Sequence, residues 1–174
     1  MRKSQRGQSL VEFTFVGIPV LFTLICIFEI SRGMWIYGTL NHAAKQGVRY
    51  AIVHGINCSK NTNACTVQLG PAQNRCNNTV STIAEVIRCA GAGLDPTNTK
   101  VTFISAQGAL GPYSLNAVPA GLWPPTNGNQ PGQALTIEIR TPFKSALSML
   151  WPGASPVRFA SGTFGASSSD QIQF

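Results

Sequence analysis

The sequence predicts an α+β protein: a long N-terminal helix, membrane-spanning in its first half, packed with a small antiparallel sheet and a second helix. Three observations lead there. An apolar run of 21 residues, 10–30 (LVEFTFVGIPVLFTLICIFEI), continues from Ser31 to His54 without a proline. A second helical stripe of apolar positions follows between residues 72 and 90. Residues 134–140 (ALTIEIR) alternate apolar and polar, as a half-buried strand does. At 174 residues the chain holds one compact domain at most, besides whatever the apolar helix adds.

At about 1.5 Å per residue the apolar run spans roughly 31 Å, the thickness of one bilayer core. Glu12 and Glu29 lie near its two ends, and Arg32 is placed to pair with Glu29 on one helix face. Trp35 and Tyr37 follow, as an interfacial aromatic belt would. The basic residues precede the run, which orients the N-terminus to the cytoplasm and the rest of the chain outside it. A buried helix of a soluble protein is the competing reading, and the length and flanks disfavour it. Pro19, two residues after Gly17, predicts a kink or a locally unwound turn. Beyond the membrane, Leu40, Ala43, Ala44, Gly47, Val48 and Ala51 form a narrow stripe of mainly small residues. Ala43, Gly47 and Ala51 recur every four positions and allow close approach, either to the chain's own domain or to a neighbouring subunit. Gly55 suits a C-cap.

Residues 56–70 are polar and turn-rich, and Pro71 suits the first turn of a helix. Ala72, Cys76, Val80, Ile83, Ile87 and Ala90 make one continuous helical stripe, ended by Gly91 and Gly93. Residues 100–106 (KVTFISA) and 134–140 read as strands. The Gly- and Pro-rich residues 107–133 between them read as an irregular exposed loop. Residues 142–150 suggest a short helix and 157–164 a third strand. The Ser-rich end, 166–174, extends the sheet or frays. The expected organisation is a leader at 1–7, a long helix at 8–55 with its transmembrane part at about 10–30, and an extracytoplasmic α+β domain at 56–174.

Charged residues make up only 11% of the chain and hydrophobic ones 44%. The net charge of +7 falls to +4 once Arg2, Lys3 and Arg6 are removed. The remaining basic residues are scattered and not interleaved with aromatics, so no nucleic-acid partner is expected. Cys26 lies in the apolar run and reads as a small buried hydrophobe. Cys58, Cys65, Cys76 and Cys89 lie beyond it, an even number that suits two disulfides in an oxidising compartment. A zinc site is the rival reading, but there is no C-x-x-C pair and the spacings are 7, 11 and 13. No metal or cofactor is expected. If the stripe from Ala72 to Ala90 is one helix, Cys76 and Cys89 are roughly 20 Å apart along its axis and cannot pair. Either remaining pairing would tie the 56–70 segment to that helix twice.

The run Arg6–Phe13 (RGQSLVEF) carries the functional signal. A short basic leader ends at Gly7, and one carboxylate, Glu12, follows five residues later inside apolar sequence. A carboxylate at that depth is costly and needs a reason. The leader is too short for an ordinary secretory signal. The layout resembles the class III (type IV) prepilin signal, which implies cleavage between Gly7 and Gln8 by a prepilin peptidase and retention of the apolar segment. With Phe28–Arg32 (FEISR) and Asn41–Gly55 (NHAAKQGVRYAIVHG), the chain resembles the TadE-like minor pilins (pseudopilins) of the tight-adherence, Flp-type, type IV pilus systems. The resemblance covers roughly the first third. It implies a pilin-like fold, a single inner-membrane pass before assembly, and later a place in a surface pilus reached through the periplasm. The implied partners are other pilin subunits, the peptidase, the assembly platform and membrane lipid. Glu12 is the implied assembly residue, pairing with a neighbour's new N-terminal amine at Gln8. Its alternative role is to reach back to the lipid headgroups.

A membrane-tethered adhesin that never polymerises is the competing function, with Tyr113, Leu122 and Trp123 of the 107–133 loop as its binding surface. An enzyme is not expected: the sequence has no nucleophile elbow, metal motif or paired carboxylates beyond the membrane segment.

Overall fold

The computed structural model describes residues 6–54, 69–70, 76, 82–121, 128, 130–145 and 161–173. Helix α1, Arg6–Val53, is 48 residues long, about 72 Å at the usual rise. Its halves differ. From Leu10 to Ile30 its large apolar side chains, half-buried Ile25 apart, are exposed, with Phe13 78% and Phe28 74% accessible. From Leu40 onward one stripe disappears into the domain: Leu40, Ala43, Ala44, Val48, Ala51 and Ile52 are all buried. The small-residue stripe therefore packs against the chain's own domain. The helix runs unbroken across Pro19, so the unwound turn expected there is absent. A single proline removes one helical hydrogen bond, and the turns on either side retain theirs. Thr14, Thr23 and Ser31 return their hydroxyls to the carbonyls of Leu10, Pro19 and Ile27 at 2.8–2.9 Å, which satisfies these polar groups within the helix itself.

Helix α2 is short, Ile83–Ala90. Thr82 caps it, its hydroxyl accepting from the Glu85 amide at 3.2 Å. The Thr82-x-x-Glu85 spacing is that of a capping box. Gly91 closes the other end, its amide donating to Ile87 O at 2.9 Å. Ile83, Ala84 and Ile87 are buried. The continuous helix expected from residue 72 is thus not formed, since Cys76 is not helical.

The sheet is antiparallel with strand order β2-β1-β3-β4. The strands are β1 (Lys100–Ser105), β2 (Gly108–Ser114), β3 (Ala134–Lys144) and β4 (Ser161–Gln171). Strand β2 corrects the expected irregular loop at 107–133. It is an edge strand whose glycines and proline hide it from pattern reading. Gly111, at φ 120°, sits where a Cβ would lie 2.8 Å from Val101 O. The short helix expected at 142–150 is also corrected: Pro142–Lys144 belong to β3, and 146–150 lie outside the described residues. Of the strand expected at 157–164, residues 161–164 lie in β4 and 157–160 lie outside the described residues; residues 166–171 of the Ser-rich end extend the same strand. The inner face carries Val101, Phe103, Leu135, Ile137, Ile139 and Ala166, all buried, with Val101 opposite Ile139 and Phe103 opposite Ile137.

Strand β4 runs alongside α1 in the same direction. Its Phe164 ring lies against Gly33, and at the far end the Gln173 amide donates to Ile52 O at 3.2 Å. Nineteen helical residues and nine extended ones each cover about 30 Å, so the two elements are matched in length.

Gly47 is where α1, α2 and the sheet meet. A Cβ there would stand 2.7 Å from Ile87 Cγ1 and 3.3 Å from Ile137 Cδ1. Gly47→Val is expected to destabilise the domain by about 1–3 kcal/mol through overpacking. Gly38→Val, at a position with nothing within 4 Å, should cost less. Denaturant unfolding of both full-length variants in micelles checks this; equal losses would show that the contact is slack.

Candidate membrane-spanning and processing segment

The residues read from the leader motif fall on the first turns of α1. Gly7 is exposed, and a Cβ added to it would meet nothing within 4 Å. Gln8 lies in the same turn. Glu12 is exposed one turn on, and among the described residues it has no ion-pair partner. The segment from Ser9 is long and apolar enough to cross a membrane, with a mean hydropathy of 2.3 in its most apolar window and none of that window buried. Cys26 is exposed, not packed in a core, because the domain does not reach that part of the helix.

The domain meets the helix at Arg32. Arg32 Nη2 pairs with Glu29 Oε2 at 3.4 Å, the contact expected from their spacing. It also donates to Lys144 O at the end of β3. Its guanidinium lies over the Phe143 ring, 4.6 Å from the centroid, and Phe143 packs on Phe164 at 5.0 Å. The sequence marks the Glu29–Arg32 pair. It gives no sign of the long-range contacts, because residues 112 positions apart leave no spacing pattern. Trp35 and Tyr37 follow, 69% and 52% accessible.

Further along α1, Tyr50 stacks on His54 with centroids 4.4 Å apart. Burial pushes the Tyr50 phenol above its ordinary pKa, and the Glu85 carboxylate adds to the shift. Glu85 is buried on α2. Among the described residues, no three His, Cys, Asp or Glu side chains converge as a metal site would need.

Cys76 and Cys89 form a disulfide, with Cα atoms 5.4 Å apart. The expectation that they cannot pair is therefore wrong. It assumed both on one helix, whereas α2 begins only at Ile83 and leaves Cys76 free to return across it. Cys58 and Cys65 lie outside the described residues. Of the proposed adhesive surface, Tyr113 lies in β2, half-buried against the core. Leu122 and Trp123 lie outside the described residues.

Residues 7–49 match the family model described as TadE-like protein. The likeness therefore rests on α1, not on the sheet built against it. No curated protein and no solved structure matches the chain.

Proposed function

We propose that the chain is a minor pilin, or pseudopilin, of a tight-adherence type IV pilus, with a structural role and no catalytic step. The observation that carries this reading is the division of α1 into an apolar half with no buried residue and a distal half with one stripe, from Leu40 on, buried in its own domain, most of it within the stretch that matches the TadE-like model. An exposed apolar helix of this length has two environments open to it: a bilayer, or a bundle of like helices. A pilin occupies them in turn.

In this reading the basic leader holds the N-terminus in the cytoplasm, and a prepilin peptidase cuts between Gly7 and Gln8. The bare Gly7 backbone leaves the peptidase unobstructed. Cleavage creates an ammonium on Gln8. When helices leave lipid for the filament, Glu12 of one subunit neutralises that ammonium on its neighbour, and both charges become tolerable in apolar surroundings. The domain lies outside the cytoplasm, where the Cys76–Cys89 bond persists. Other pilin subunits and the inner-membrane assembly platform are its partners.

Gly7→Leu is expected to leave full-length precursor in the membrane. Intact mass of the protein purified from its own host is the direct check. A native chain that still begins at Met1 there would overturn the reading.

A further inference from the structure

The membrane-proximal end of the domain is fixed in depth by α1. On the membrane-spanning reading above, the apolar run ends at Ile30, and Arg32 lies about 3 Å beyond it along the axis. The headgroup layer is roughly 5–8 Å deep on each side of a bilayer. Arg32 donates to the backbone carbonyl of Lys144 and stacks on the neighbouring Phe143, so the end of β3 is held at that same depth. The Lys144 side chain is exposed, and among the described residues it has no ion-pair partner. Lys144 and Arg32 line one groove of about 250 Å³ with Asn98 and Thr141. The groove's carboxylate, Asp95, does not engage the lysine. It accepts from the Thr97 amide at 2.9 Å and from Asn98 Nδ2 at 2.5 Å, and these bonds hold its pKa below the ordinary value.

We infer that Lys144 binds a lipid phosphate in the extracytoplasmic headgroup layer, with Arg32 as the residue that sets its depth. The geometry sets the depth of the Lys144 ammonium. Its backbone is bonded to a helix whose register in the bilayer is set by the apolar run, and phosphate oxygens are the acceptors available at that level. An anionic lipid surface attracts such cations strongly, and the attraction fades within a Debye length. Lys45, on the same helix about 20 Å further out, is beyond that range. The contact seats the sheet on the membrane and fixes how the domain stands before assembly.

The test uses the full chain in phosphatidylcholine vesicles carrying a photoreactive phosphatidylglycerol, with the reactive group in either the headgroup or the acyl chain. The headgroup probe should label residues 141–144. Lys144→Ala should lower that labelling about fivefold, the weight of one cation at an anionic surface; Lys144→Arg should retain it, and Lys45→Ala should leave it unchanged. Acyl labelling of 10–30 without headgroup labelling of 141–144 would overturn this inference and leave the membrane reading intact. Absence of acyl labelling at 10–30 would remove both. Loss of the headgroup label on adding excess inorganic phosphate, at constant ionic strength, would assign the site to free phosphate and also overturn it.

Discussion

Glu12→Ala is expected to leave the protein inserted and cleaved but absent from pili. On the proposed pilin reading, removing the carboxylate leaves a neighbour's ammonium unpaired in the apolar surroundings of the filament. Breaking a buried ion pair from one side costs about 3–5 kcal/mol, which is about a hundredfold or more in incorporation. Before assembly the cost is small. Glu12 is exposed and has no ion-pair partner among the described residues, so its loss does not disturb the fold. The measurement is an immunoblot of sheared surface filaments beside one of the membrane fraction. Normal amounts in both would leave only the headgroup role for Glu12.

The second large effect concerns the disulfide. Cys76 and Cys89 close a loop with a sequence separation of 13, for which chain entropy gives about 3 kcal/mol. The double variant Cys76→Ala/Cys89→Ala should lose that much. The bond holds the segment before α2 to the helix's last turn, and α2 has only eight residues, too few to persist without tertiary support. Denaturant midpoints of the full chain in micelles, with and without reductant, provide the check. Coincident midpoints would show that the bond is not a staple.

What the sequence disclosed followed the range of each signal. The buried stripe of α1 was legible because residues four apart share a face, and every member from Leu40 to Ala51 is indeed buried. The strand at Ala134–Arg140 was legible from alternation, since Leu135, Ile137 and Ile139 face the core. Strand β2 was not, because Gly111 and Pro112 read as loop residues while the partner strand supplies the ladder. The start of α2 is hidden because the apolar period runs on through Cys76, whereas the Thr82–Glu85 cap decides where the first turn closes. That late start also leaves Cys76 off the helix and within reach of Cys89. Within the candidate site, the Glu29–Arg32 pair could be read locally. The docking of Arg32 on Lys144 and Phe143 could not, because it depends on how β3 comes to lie beside α1.

The pairing of the first helix with the last strand has a temporal consequence. The chain is made from the N-terminus, so the distal half of α1 leaves the ribosome long before β4 does. At common elongation speeds the interval is roughly ten seconds. Through that time Leu40, Val48 and Ile52 lack the cover that Ala166 and Ile172 later help to supply. Such late, long-range closure makes folding slow. It also makes β4 the element that completes the core: a chain stopped before Ser161 leaves the distal stripe of α1 without that cover.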